Sequence, residues 1–346
     1  MTFLLLLVST LVPLPYILEY PGPTVNVLAD YDGKTLINVP DAAAVDGELL
    51  MTTVSISGGP GQWLTAATLL QALASSEAAV APREALFPDA LSASQSEQIS
   101  QAQMNSSQEN AIIAALESMG YDLDVELEVA TITAQSDAKD KLAVDDILVS
   151  IAAPGEPTLT YPSYRELTGL LARVPVGTTV KVEARRNDET LRYDIATIAP
   201  PVDAEGRPQR EGSLLGIGLY THLKNNPGVE FSLGDQIGGP SAGLMFALGI
   251  IDKLTDESLT GANSIAGTGT IAIDGQVGPI GGVNQKMLGA YRDGARYFLV
   301  PADNWDEAQG HVPAGMTAIR VETLDEALQT LREITAGKPL NLPHEG

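Results

Sequence analysis

The segment Gly238-Gly239-Pro240-Ser241-Ala242-Gly243 opens a stretch in which no charge appears until Asp252. A glycine-proline turn that leads into Ser-Ala-Gly-Leu-Met-Phe-Ala-Leu at 241–248 predicts a helix enclosed by the rest of a domain, because a helix apolar all round has no face to offer water. Pro240 suits the first helical position, where its missing N–H costs nothing and its φ is already helical. Ser241 then falls in the first turn, beside unpaired N–H groups and the positive end of the helix dipole, a setting that can hold an oxyanion. The glycines at 238, 239 and 243 leave room for a second backbone to approach. A serine hydroxyl is a weak nucleophile and needs a base.

Lys286 is the candidate base. Val283, Lys286, Met287 and Ala290 recur at helical spacing, which sets the lysine on the apolar stripe of its helix. Burial disfavours the ammonium form. To act as a base near neutrality the amine must fall by roughly 3 pKa units, at a cost of about 4 kcal/mol to the fold. The alternative is a lysine that snorkels its charge to water from the edge of the stripe.

Gly238 to Gly243, Ile265-Ala266-Gly267-Thr268-Gly269-Thr270-Ile271, Gly275-Gln276-Val277-Gly278-Pro279-Ile280-Gly281-Gly282 and Lys286, continued by Gly294-Ala295 and Phe298-Leu299-Val300-Pro301, resemble in that order the proteolytic domain of Lon proteases. The resemblance implies a Ser-Lys dyad, with Ser241 as nucleophile, Lys286 as general base and Thr268 orienting the lysine. It also marks Gly239, Pro240 and Ala242 as supporting positions. Gly239 departs from the aspartate that many Lon proteases carry before the proline, a change that bears on substrate handling or activation rather than on the dyad.

Local patterns in this region agree with a packed α/β domain. Thr270 to Ile273 reads as a strand, Asp274-Gly275 as a hairpin turn, and Tyr297 to Val300 as a strand stopped by Pro301. Thr323-Leu324-Asp325-Glu326 has the form of a capping box opening a helix to about Thr335. No ATPase module accompanies it: Gly33-Lys34-Thr35 matches only the end of a phosphate-binding loop and reads as a turn.

With 346 residues and 44% hydrophobic content the chain can hold two or three domains. A formal charge of −24 argues against nucleic acid or an anionic membrane surface as partner. The absence of cysteine removes disulfides and thiolate chemistry. His222, His311 and His344 are scattered outside any metal-ligand spacing, and only His222 is a remote competitor for the base. No metal or cofactor is expected.

Phe3 to Leu18 is an uncharged apolar run, interrupted by Pro13 and Pro15, and is read as an uncleaved membrane anchor over 1–20. A signal-peptide core and a buried N-terminal strand are the alternatives. In the region 21–117, Gly47 to Ser57 reads as a strand and Leu64 to Leu73 as a helix. Residues 92–110, rich in Ser and Gln, read as a solvated helix face or linker, and Ala111 to Met119 as helical.

Between 118 and 200 the pattern changes. Val125, Leu127 and Val129 alternate with glutamates, and Val180 and Val182 with Lys181 and Glu183, both with the period of half-buried strands. Leu142 to Leu148 and a short helix at 163–171 lie between. The order is similar to a PDZ domain, with Leu142 to Leu148 matching its central strand and Asp145 standing where glycine is common. PDZ domains bind extended chains by strand addition, which makes Gly120-Tyr121-Asp122-Leu123 the candidate carboxylate-facing loop.

Anchor, PDZ-like module and a Lon-like domain at 201–340 resemble the membrane-anchored, PDZ-containing Lon-like peptidases of bacteria. The expected fold class is α+β, with an N-terminal membrane anchor, a β-rich PDZ-like domain and a proteolytic α/β domain. The resemblance implies an ATP-independent serine endopeptidase acting on unfolded or flexible protein segments, single-pass in the cell membrane with its catalytic domain extracytoplasmic, and able to form a hexameric ring. Two other classes remain: a catalytically dormant PDZ scaffold that binds protein C-termini or extended segments, and a small-molecule kinase that uses the glycine-rich turn for phosphate.

Overall fold

In the computed structural model, which describes residues 14–340 apart from 76, 88–91, 203–207, 209–210, 235–236 and 257, Tyr16–Asn26 is an extended strand. It pairs antiparallel with Glu48–Ser57 on one side and Ala79–Pro82 on the other, with Ile17 and Leu18 buried. Among the described residues no helix is long and apolar enough to cross a membrane. That overturns the expected single-pass helical anchor at 1–20, on which the membrane partner and the extracytoplasmic placement rested. The physical reason is local: prolines at 13 and 15 disfavour a continuous helix, and the described end of the apolar run, Tyr16 to Leu18, is taken up by the strand that continues to Asn26. Residues 1–13 of the expected anchor lie outside the described residues.

The chain divides into two compact units, 1–120 with 228–346, and 121–227. The first is built on a six-stranded mixed sheet in the order Thr317–Val321, Tyr297–Pro301, Ser264–Gly267, Glu48–Ser57, Tyr16–Asn26, Ala79–Pro82. The first four strands run parallel and the last two antiparallel to their neighbours. Strands from 21–117, which the sequence reading treats as a region of its own, thus share a sheet with strands from the C-terminal third.

Five helices accompany this sheet among the described residues: Ala66–Leu73, Ala93–Ser118, Gly243–Leu254, Val283–Arg292 and Leu324–Thr335, besides short turns. Gly243–Ile251 is buried throughout, as the uncharged run predicts, and burial extends over the charged Asp252 and Lys253. Ala93–Ser118 is one continuous helix, capped by Ser92 and Gln95; of the two expectations for 92–110, helix face or linker, it is the helix that forms, joined without a break to the helix expected at 111–119. Leu324–Thr335 begins at Thr323, whose hydroxyl accepts from the Glu326 N–H. The Glu326 carboxylate takes the N–H of Glu322 instead of returning to Thr323.

The second unit is an antiparallel sheet in the order Glu189–Ala196, Thr179–Arg186, Ile147–Ala152, Val125–Ile132, Ile217–Leu223, packed against the helix Tyr164–Arg173. Leu127, Val129, Leu148, Ile151, Leu167, Leu170, Val180 and Val182 are among its core residues. The strand expected at Leu142 to Leu148 begins only at Ile147. Asp145 before it has φ +71°, a conformation aspartate tolerates. The buried Asp146 carboxylate accepts from the Ala143 N–H and pairs with Arg186, which holds 142–146 as a turn.

Candidate active site

The nucleophile candidate sits in the turn just before its helix. The helix starts at Gly243 rather than at Pro240, because the residues ahead of it are bound to another segment. Gly269 N–H donates to the Ser241 carbonyl at 2.9 Å and Leu244 N–H to the Gly269 carbonyl at 3.1 Å. Gly243 is what allows this contact: a Cβ there would lie 2.7 Å from Ile271 Cγ2. Among the described residues, the N–H groups of Ser241 and Ala242 carry no hydrogen bond. They stand ahead of the N-terminus of a fully buried helix, where the backbone dipoles favour negative charge.

Lys286 projects from the helix Val283–Arg292, whose N-cap is Gly282 in the left-handed region at φ +67°, a conformation that suits glycine. Val283, Met287 and Ala290 are buried on the same stripe, and Lys286 itself is 3% exposed. The lysine therefore does not snorkel to water. Its Nζ lies 2.7 Å from Ser241 Oγ and 2.9 Å from Thr268 Oγ1. Thr268 is fully buried, and its hydroxyl donates to the Ser241 carbonyl at 3.1 Å. With its proton committed there, the threonine oxygen accepts an N–H of the lysine. Both contacts hold the lysine nitrogen beside the serine hydroxyl.

Burial holds the Lys286 ammonium down to about 7 from its ordinary 10.5, and the Glu19 carboxylate opposes the fall. Glu19 is a half-buried group on the strand Tyr16–Asn26. Its own pKa is raised, by burial first and by the nearby Glu307 second, while Lys286 lowers it. Asn304 pins the loop that enters the lysine helix: its side-chain amide accepts from the Ile280 N–H and donates to the Ile280 carbonyl, both at 2.9 Å. At the other end of that helix, the Asp293 carboxylate accepts from the Thr24 N–H and hydroxyl.

Ser241, Lys286 and Thr268 are thus brought together, with Pro240 and Ala242 on either side of the serine and Gly239 in a left-handed turn at φ +88°. Gly120 lies elsewhere, at the C-terminal end of the helix Ala93–Ser118, where its N–H donates to the Glu117 carbonyl. Tyr121 to Leu123 follow as the connection into the second unit, with the Asp122 carbonyl accepting from Asn225. His222 bonds Glu128 on the neighbouring strand, and His311 the carbonyl of Glu307; His344 is outside the described residues. Among the described residues no group of three or more His, Asp or Glu stands close enough together to hold a metal. Gly33-Lys34-Thr35 forms part of a tight hairpin between Asp30–Tyr31 and Lys34–Thr35.

Glu19 and Asn304 are not among the site residues expected from the sequence. Only Glu19 carried a signal, as the single carboxylate at the end of a long apolar run.

Residues 236–333 match the family described as the Lon protease (S16) C-terminal proteolytic domain. Lon protease 1 of Sorangium cellulosum is 39% identical over 112 residues, which is 31% of this chain and 14% of that protein. Lon protease 2 of Herpetosiphon aurantiacus is 41% identical over 93 residues, 26% of this chain and 11% of its own length. This chain therefore spans only a small part of the length of these relatives. A solved PDZ domain of an SdrC-like protein from Listeria monocytogenes aligns with 24% identity and a TM-score of 0.22, over 29% of this chain and 90% of that one. The segment that carries Ser241, Thr268 and Lys286 is the segment similar to the Lon proteolytic domain.

Proposed function

We propose that the chain is a serine endopeptidase that works without ATP through a Ser241–Lys286 dyad, on unfolded or flexible protein segments. The observation that carries this reading is the 2.7 Å contact between Lys286 Nζ and Ser241 Oγ inside an apolar enclosure. A lysine held near 7 by burial is half neutral at physiological pH and can take the serine proton.

The chemistry follows from that transfer. Lys286 removes the hydroxyl proton, and Ser241 Oγ attacks the peptide carbonyl carbon. The oxyanion that forms is received by the free N–H groups of Ser241 and Ala242. The C–N bond breaks as the Lys286 ammonium returns its proton to the leaving amine. A water then attacks the acyl-enzyme with Lys286 again as base, freeing the acid and regenerating Ser241. Thr268 keeps the amine aligned throughout.

The test is cleavage of a permanently unfolded protein by the full chain, without nucleotide, beside Ser241→Ala and Lys286→Ala, with fragments read by mass spectrometry. Cleavage by the parent chain alone supports the dyad; equal cleavage by either variant rejects it.

A second reading, in which the 121–227 unit captures an extended peptide, has one observation in its favour: Ile217–Leu223 is the terminal strand of its sheet, the kind of edge to which peptides add. If capture were the whole function, Lys286→Ala would leave it intact.

A further inference from the structure

The helix Ala93–Ser118 carries polar side chains that the reaction above leaves unused. A Ser- and Gln-rich composition suits a solvated face, yet Ser107 is 3% exposed and its hydroxyl donates to the Pro240 carbonyl at 3.0 Å. Two turns earlier, the Ser100 carbonyl accepts from the Gly239 N–H at 3.0 Å. One turn later, Asn110 Nδ2 donates to the Ile271 carbonyl at 3.1 Å. Positions 100, 107 and 110 share one face of the helix.

These contacts reach the turn that carries the nucleophile and the segment whose Thr268 holds the base. Gly239 and Pro240 immediately precede Ser241, and Ile271 ends the short segment that begins at Thr268. There is no slack at the junction: a Cβ on Gly243 would lie 2.9 Å from Ser107 Oγ as well as 2.7 Å from Ile271 Cγ2.

We infer that the Ala93–Ser118 helix is a positioning element for the reaction, in which Ser107 holds the nucleophile turn and Asn110 the Thr268 segment against a single rod. The inference rests on the dyad reading and extends it to a region outside the stretch similar to Lon proteases. A serine preceded by two glycines and a proline has little of its own to fix its approach angle. Removing the Ser107 hydroxyl leaves the Pro240 carbonyl with only the long 3.5 Å contact from the Gly243 N–H and lets the turn relax. The attack geometry suffers while the surfaces that bind substrate stay as they are.

The test follows the covalent labelling of the full chain by a fluorophosphonate, in which Ser241 Oγ displaces fluoride at phosphorus and Lys286 takes the proton. The rate constant at saturation and the half-saturating concentration are measured from pH 5.5 to 9 for the parent chain, Ser107→Ala, Asn110→Ala, Ser241→Ala and the exposed control Ser106→Ala. The expected result for Ser107→Ala is a fall of about tenfold in the saturating rate, the worth of one buried hydrogen bond, with half-saturation unchanged. Asn110→Ala lowers the rate and also moves the pH midpoint upward, because an amine less firmly enclosed regains water and its proton. Ser106→Ala behaves as the parent.

Labelling of folded Ser107→Ala and Asn110→Ala at the parent rate overturns the inference, as does an equal loss in Ser106→Ala. If Ser107→Ala does not fold, Asn110→Ala decides alone. Failure of the dyad reading is a distinct outcome: the parent chain is not labelled, or Ser241→Ala is labelled equally, and the inference falls with it.

Discussion

Replacing Lys286 with Met is expected to make the protein more stable and inactive at once, and the gain in stability should depend on pH in a defined direction. Burial depresses the Lys286 pKa from 10.5 to about 7. Below pH 7 the lysine is charged in both the folded and unfolded states, so the full cost of burying the ammonium is present. Between about 7 and 10.5 the unfolded chain binds more protons than the folded one, and stability rises with pH. Above 10.5 both states are neutral and the cost is gone. At 1.36 kcal/mol per pKa unit the full cost is about 5 kcal/mol, and about 4 kcal/mol remains at pH 7. Methionine removes that cost but also the two bonds to Ser241 and Thr268, a loss of about 2 kcal/mol at about 1 kcal/mol each. The net expectation is a gain of about 2 kcal/mol at pH 6.5–7 that shrinks to nothing by about pH 9. Urea unfolding at pH 6.5, 8 and 9.5 measures it. A gain that does not change with pH, or a loss of stability at pH 6.5, refutes the claim that the fold pays to bury this amine.

Activity of the parent chain should rise through an apparent pKa near 7 as Lys286 loses its proton, and a profile flat from pH 5.5 to 8 would reject a lysine base. Thr268→Val removes the oxygen that accepts the lysine N–H and is expected to lower kcat by about tenfold to a hundredfold with little change in KM, read from steady-state cleavage of a peptide. Asn304→Leu breaks both bonds to Ile280 and leaves a backbone N–H and C=O unpaired, so denaturant unfolding should register a loss of about 2–4 kcal/mol.

What could be read from the chain alone was what local chemistry determines. The uncharged run after Pro240 specified a buried helix, and its residues from Gly243 to Ile251 are buried. The spacing of Val283, Met287 and Ala290 put Lys286 on an enclosed stripe, since helical periodicity is a property of neighbours in sequence. The alternation around Val125 and Val180 likewise identified half-buried strands. Tertiary structure decided the rest. Tyr16–Asn26 became a sheet strand because partners distant in sequence, Glu48–Ser57 and Ala79–Pro82, flank it; the apolar end of the 3–18 run, Tyr16 to Leu18, does not by itself say whether it meets other strands or lipid. Ser107 and Asn110 sit on a helix whose composition suits water, and only the approach of Pro240 and Ile271 from across the chain gave their donors acceptors. A 2.7 Å contact between residues 241 and 286 is of the same kind: each residue type was legible, but the distance belongs to the packing of the two segments that carry them.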